Sequence, residues 1–320
     1  MLYEENSLIM APLSGYTDLP YRNSLRRHGC RYAFTEMIDT GAIVHASKSC
    51  VRFFDRGGDE DWLGVQLVGC SLEEFKYSIE NLKKFNFSAV DINMGCPMRK
   101  VAGKGKGAGL AKDSDKAAAI VELLAASLNI PVSAKIRIQS EVDPESTIYL
   151  AQKIENAGAS ALTIHGRIAE KIYSGKCYGD IISAVRKSLK IQVIANGGVS
   201  NKATYEELRQ ISGCSEIMVA RGAMGNPWLF DVLQGFKKYP PTKDELCNEI
   251  ETHFMELLEY AGDNIAFKLS RKIILDYIKG RGFSADIRIS ASKISSRYDF
   301  VNLMEKLRSF PDEKYIHHSL

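Results

Sequence analysis

The sequence predicts an α/β fold, a closed (β/α)8 TIM barrel followed by a small C-terminal all-helical bundle. Three observations predict it. Eight short apolar runs suit buried strands: Leu8–Ala11, Tyr32–Thr35, Leu63–Val68, Ala89–Asn93, Val132–Ile136, Ala161–His165, Gln192–Asn196 and Ile217–Ala220. Segments of helical length separate most of them, which implies parallel strands. Polar residues recur where the apolar runs stop, and in a barrel those positions share the mouth where active sites are built. An open doubly wound sheet is the alternative that the same alternation allows.

Taken in order, Leu72–Phe85 and Asp115–Leu128 carry apolar residues at helical spacing. Asp143-Pro144-Glu145 reads as an N-cap, a proline at the first helical position and an acid in the first turn. Tyr239-Pro240-Pro241 is a stiff break, and Thr242-Lys243-Asp244-Glu245 after it reads as a capping box. Three apolar stripes follow, on Leu246, Ile250, Phe254, Leu257, Leu258 and Ala261, on Leu269, Ile273, Ile274 and Tyr277, and on Phe300, Leu303, Met304, Leu307 and Phe310. The expected domains are a catalytic barrel over residues 1–240 and a helical domain over residues 241–320.

Composition limits the classes. A chain of 320 residues, 45% of them hydrophobic, is long enough for a barrel with an appendage. The formal charge of +3 neither demands nor excludes an anionic partner, so local clustering decides. Seven cysteines form no C-x-x-C pair and no zinc spacing. They read as reduced thiols in a cytoplasmic protein, and no metal is expected. The acidic Met1-Leu2-Tyr3-Glu4-Glu5 opening is not that of a signal peptide, and no apolar run approaches the ~20 residues of a membrane span. A monomer with no stable protein partner is expected.

The stretch Val90-Asp91-Ile92-Asn93-Met94-Gly95-Cys96-Pro97 organises the chain. Its apolar residues suit a strand that Pro97 ends, so Cys96 should face a crevice just past the carboxyl end. The bland reading is a buried, inert cysteine. The glycine-rich stretch 103–109, with Lys104 and Lys106, reads as a mobile cationic loop. It matches neither a Walker A loop nor a dinucleotide fingerprint, so Arg99, Lys100, Lys104 and Lys106 read as contacts to a polyanion or as a solvated charge run.

The strand-end set is Ser14, Glu36, Gln66, Asn93, Lys135 with Arg137, His165 with Arg167, Asn196 and Arg221. Asn196-Gly197-Gly198 and Ala220-Arg221-Gly222 close the last two strands, where barrels hold phosphate, and the alternative is two tight βα turns that need glycine. Gln66, Asn93 and Asn196 suit a heterocycle edged with amides and carbonyls. Lys135 fits the cation that a reduced flavin needs at its N1–C2 edge, a Schiff-base lysine or a salt-bridged structural lysine, and position alone does not choose. In the tail, Lys268, Arg271, Lys272, Lys279, Arg281, Arg288, Lys293 and Arg297 face only Asp276 and Asp286 over the same span. That asymmetry reads as an electrostatic footprint for nucleic acid or as an ordinary cationic helix face.

These residues carry a resemblance. Met10-Ala11-Pro12-Leu13-Ser14-Gly15-Tyr16-Thr17-Asp18, Asp91-Ile92-Asn93-Met94-Gly95-Cys96-Pro97, Gly107-Ala108-Gly109-Leu110, Lys135-Ile136-Arg137, His165-Gly166-Arg167, Asn196-Gly197-Gly198 and Ala220-Arg221-Gly222 resemble, in order, the motifs of tRNA-dihydrouridine synthases. The bacterial B-type branch looks closest, although Leu13-Ser14 stands where Met-Ala is common. The resemblance implies an FMN enzyme that uses NADPH (or NADH) to reduce uridines in tRNA. It implies that Pro12, Leu13 and Ser14 line the flavin, with Gln66 on its ring edge, Lys135 stabilising its reduced form and His165 beside it. It implies that Asn196, Gly197, Gly198, Ala220 and Arg221 hold the phosphate. Asn93 would orient the uracil, Arg137 and Arg167 would lie near the substrate path, and Lys104, Lys106, Lys268, Arg271 and Lys272 would meet the tRNA. Cys96 would be the general acid, protonated at working pH. The competing readings are a non-catalytic RNA-binding protein on a barrel scaffold and a flavin barrel acting on a small enone or pyrimidine.

Overall fold

The computed structural model describes residues 1–44, 52–237 and 240–316. Tyr239 of the expected break therefore lies outside the described residues. The strands are β1 (Leu8–Met10), β2 (Tyr32–Asp39), β3 (Leu63–Val68), β4 (Ala89–Met94), β5 (Val132–Arg137), β6 (Ala161–His165), β7 (Gln192–Asn196) and β8 (Ile217–Val219). They close in sequence order into a barrel, and every pairing, including β8 back to β1, is parallel. The alternating pattern thus yields the barrel and not the open sheet.

Two segments differ most from expectation. β2 continues past Thr35 through a register shift between Phe34 and Met37, so Glu36 lies within the strand and Asp39 ends it. The extra residue of a bulge lets the strand run on at an angle. The stretch expected as a mobile loop after Cys96 contains regular structure. It forms a short helix, Arg99–Ala102, and a 3₁₀ turn, Gly107–Lys112, closed by bonds such as Ala102 N–H to Met98 O (2.9 Å). Its glycines serve close approaches as well as bends.

The helices that follow the strands bury their apolar faces as the spacing predicts. α1 (Leu72–Leu82) buries Phe75, Ile79 and Leu82, and α2 (Ser114–Ser127) buries Ala117, Ile120, Val121 and Leu124. In α3 (Glu145–Asn156) the first helical residue is Glu145, one later than expected, and Asp143 Oδ1 accepts its N–H at 3.2 Å. Tyr3, Tyr32, Phe34 and Trp62 form an aromatic cluster in which Phe34 and Trp62 meet edge to face at 5.3 Å. Gly64 in β3 makes room for it, since a Cβ there would stand 2.3 Å from the Phe34 ring.

The chain forms two compact units. The first is Met1–Ser14, Arg31–Val199 and Ala203–Ala220, and holds the barrel strands. The second is Gly15–Cys30, Ser200–Lys202 and Arg221–Leu320. Within it, α4 (Lys243–Ala261), α5 (Asp263–Ile278), α6 (Ala285–Ser292) and α7 (Arg297–Arg308) bury the three stripes around Phe254, Ile274 and Leu303. The Thr242–Glu245 capping box is present in both directions. Phe254 and Phe300 stack at 3.6 Å. Arg281, counted above in a basic face, is instead only 1% exposed, with its guanidinium over the Trp228 ring and its Nε–H donated to Tyr277 O.

Candidate active site at the barrel mouth

Strand register stacks the polar side chains in tiers. Gln66 pairs with Asp91, and Asp91 with Ser133. One step toward the mouth Asn93 pairs with Lys135, and the next tier pairs Arg137 with His165 and His165 with Asn196. Residues two apart on a strand share a face, so Asp91 and Asn93 both point inward.

The lower tier is a closed hydrogen-bond network. Gln66 Nε2 donates to Asp91 Oδ2 (2.7 Å), Ser133 Oγ donates to Asp91 Oδ1 (2.7 Å), and Asn93 Nδ2 donates to Gln66 Oε1 (2.8 Å). Burial pushes the Asp91 carboxyl up to about 6, against the Gln66 and Ser133 hydrogen bonds and the Lys135 charge. Gln66 is fully buried inside the barrel, where its amide is engaged by Asp91 and Asn93. Sequence reasoning gave Asp91 no role of its own. The signal for one is a charge two residues before Asn93 in an otherwise apolar strand.

Asn93 also caps the turn that carries the thiol. Its Oδ1 accepts the N–H groups of Gly95 (3.2 Å) and Cys96 (2.9 Å). Cys96 is half-buried just beyond β4, where the sequence placed it. Gly95 fits closely there, since a Cβ would lie 3.3 Å from Lys135 O, tighter than an ordinary contact. Across the barrel, Lys135 Nζ donates to Asn196 Oδ1 (2.9 Å), and Asn196 Nδ2 donates to Met218 O (2.8 Å), which fixes that amide. Lys135 keeps partial exposure, yet the protein surrounds its ammonium closely. Burial, then Arg137, lowers it to about 8, while Asp91 and Cys96 oppose.

The two arginines expected near the substrate path hold backbone. Arg137 donates Nε–H to Gly95 O (2.7 Å) and Nη1–H to Ile172 O (2.8 Å), under the Tyr173 ring. Arg167 donates to Gly175 O (2.9 Å) and touches His165 Nε2 (3.3 Å). They secure the loop after β6, where Ile172 has φ +52°, a strained value for a β-branched residue. His165, at 7% exposure, stands beside Gly197, and a Cβ at Gly197 (φ +137°) would meet His165 Cδ2 at 2.9 Å and Cys177 Sγ at 2.6 Å. Gly198 also has positive φ (+79°) and is exposed. Pro12 and Leu13 are partly buried and Ser14 is exposed just after β1, and Ala220 follows β8. Arg221 opens a 3₁₀ turn in the second unit.

The expected RNA-contacting cations divide. Lys104 and Lys268 are exposed. Lys106 is paired with Asp39 at 2.8 Å. Arg271 Nε–H is donated to Ile294 O (2.7 Å), and Lys272 donates to Gly15 O with its ammonium over the Tyr16 ring. No helix among the described residues is long and apolar enough to cross a membrane.

The carboxyl ends of the strands bring the Asn93 amide, the Lys135 amine and the Asn196 amide together, with Cys96 just past β4, and this fold makes the chain a barrel enzyme, a class whose chemistry lies at the carboxyl ends of the strands. The family model described as dihydrouridine synthase matches residues 9–312, and the chain belongs to that family. It is 32% identical over 321 residues to the probable tRNA-dihydrouridine synthase of Rickettsia conorii, covering 95% of this chain and 97% of that one. It is 32% identical over 282 residues to tRNA-dihydrouridine synthase B of Pasteurella multocida, covering 86% and 85%. The solved structure of histamine dehydrogenase from a Rhizobium species shares the fold, with a TM-score of 0.55 at 10% identity over 78% of this chain and 48% of that one.

Proposed function

We propose that this enzyme reduces the C5–C6 double bond of selected uridines in tRNA to 5,6-dihydrouridine, with FMN as cofactor and NADPH (or NADH) as electron donor. Family membership and relatives named for tRNA support the substrate. The observation that carries the chemistry is the Asn93-capped turn that holds Cys96 just past β4, the strand on which Asn93 pairs with Lys135.

The residues fit the cofactor. The Lys135 ammonium is bonded to a neutral amide oxygen and not to a carboxylate, so a negative ring edge beside it is stabilised. Gly197 and Gly198 present backbone without side chains, which suits a phosphate. Pro12, Leu13 and Ser14 would line the ring, with His165 beside it. When bound, FMN would supply the hydride that uracil C6 receives, and the nicotinamide donor would restore it.

The C4 carbonyl of uracil draws the resulting negative charge toward C5. Cys96 Sγ gives its proton to C5, and the thiolate regains one from water, so the product gains one hydride and one proton. Asn93 sets the position of that thiol. Arg137 and Arg167 shape the wall along the substrate path. The uridine must leave its stack to enter the crevice. Residues 1–240 supply this chemistry, and the helical residues 241–320 bind the tRNA through exposed cations such as Lys268. The setting is the cytoplasm, in keeping with the free thiols of the described cysteines, and the active form is a monomer.

Cys96→Ala tests the reading. It should retain bound flavin and its reduction by NADPH, and lose most turnover of tRNA uridine. Wild-type turnover by that variant would remove Cys96 from the mechanism, and a colourless purified protein would remove the flavin.

A further inference from the structure

We propose that Asp39 and Lys106 form a latch that holds the segment after Cys96 in place and so positions the thiol, and that Lys106 acts through this segment and not on RNA. The inference rests on Cys96 being the proton donor.

The Lys106 ammonium lies 2.8 and 2.9 Å from the two Asp39 oxygens and 3.8 Å from Glu74 Oε2. Its side chain is 13% exposed, whereas Lys104 projects into solvent. Burial works against its charge, but Asp39 outweighs that and raises it above the ordinary lysine range. An RNA phosphate would have to displace two carboxylates to reach it.

Both carboxylates belong to the scaffold. Asp39 ends β2, and its Oδ1 also accepts the Gly41 N–H (2.9 Å). Glu74 lies on α1 and accepts the Thr40 hydroxyl (2.6 Å). On the other side of Lys106 the chain is pressed against the thiol residue. Gly107 has φ +57°, and a Cβ there would stand 2.8 Å from Cys96 O and 3.1 Å from Cys96 Cβ. The Ala108 N–H is donated to Cys96 O at 3.0 Å. The Cys70 thiol, donating to Lys104 O at 3.4 Å, ties the same segment down a second time. The Cys96 backbone is thus held at its nitrogen by Asn93 and at its oxygen by this segment. With the ion pair gone, the second hold rests on glycine-rich chain and the weaker Cys70 thiol bond.

The test uses the full-length, flavin-loaded protein with Lys106→Met, Asp39→Asn, the double variant and Lys106→Arg. Three quantities are read: single-turnover reduction of tRNA uridine by pre-reduced enzyme, tRNA affinity with its salt slope, and the rate of Cys96 alkylation by iodoacetamide, followed by mass spectrometry. Each single variant should slow turnover by roughly 10- to 100-fold, the scale of a small misplacement of a reacting group. Each should raise Cys96 alkylation several-fold and leave tRNA affinity and salt slope at wild type. The double variant should be no worse than either single, because one interaction is lost in all three, and Lys106→Arg should restore most of the rate. A Lys106→Met variant that weakens tRNA binding and lowers the salt slope by about one, beside a wild-type Asp39→Asn, would make Lys106 a phosphate contact and overturn the latch. Wild-type turnover and alkylation in both singles would overturn it as well. If Cys96→Ala turned over normally, the proton-donor reading would fail, and the alkylation rates would still report separately whether the ion pair holds the thiol.

Discussion

Asn93 shows how much one side chain does at this site. It accepts two N–H groups of the Cys96 turn and donates to Gln66, so the thiol, the turn and the Asp91 network share a residue. Asn93→Ala leaves Gln66 Oε1 and two backbone donors without that partner, and should lower unfolding free energy by about 1–3 kcal/mol in urea titrations. Asn93→Asp keeps the acceptor for the turn but loses the donor to Gln66, and should recover part of the loss. Gly197 is constrained differently. Its φ is +137°, and a Cβ there would lie 2.6 Å from Cys177 Sγ, which leaves no room for alanine. Gly197→Ala should purify with substoichiometric flavin, measured by absorbance after denaturation, and unchanged flavin content would exclude this backbone from the cofactor site.

Elements are more legible in the sequence than side-chain partners. β3, β6 and β7 begin and end where the apolar runs do, because parallel strands buried on both faces read as continuous hydrophobic stretches. β2 runs longer than its apolar run, since a bulge carries Glu36 inside the strand and brings Asp39 to its end. That extension creates the partner of Lys106, and nothing local in the sequence announces it. The capping box of α4 is readable from four residues because its bonds are local. Thr242→Ala should cost about 1 kcal/mol in the unfolding of the helical unit, followed by circular dichroism in urea.

At the scale of the molecule, the two units carry opposite pH linkages. In the second unit, burial, with a smaller contribution from Arg27, lowers His253 to about 4, below its ordinary 6.5. Glu249 lies near 2, because the His28 ring, 3.6 Å away, and the Arg27 guanidinium, bonded at 2.8 Å, outweigh its burial. Both groups bind fewer protons folded than unfolded. Their stabilisation is present above pH ~6.5 for His253 and ~4.5 for Glu249, and is lost as pH falls toward 4 and then 2. In the first unit, Asp91 is raised to about 6, so its contribution moves the other way, falling as pH rises from ~4 to 6. Acid should therefore loosen the helical unit first. Trp62 lies in the first unit and Trp228 in the second, so single-tryptophan variants report each. A Trp62 transition at higher pH than that of Trp228 would contradict the assignment. On the RNA side, Lys268, Lys279 and Lys293 are exposed, and changing all three to Ala should weaken tRNA binding and lower its salt slope by about two to three.

Periodicity, caps and contiguous motifs are local properties of the chain, and they were enough for the barrel, the helical tail, the strand-end position of Cys96 and the family. Which charges are free was settled by folding. Lys106 meets Asp39, Arg137 meets Gly95 and Ile172, and Arg281 lies in the helical core, each with partners on other elements. A charge's energy depends on what the fold brings within a few ångströms of it, and spacing along the chain does not encode that distance.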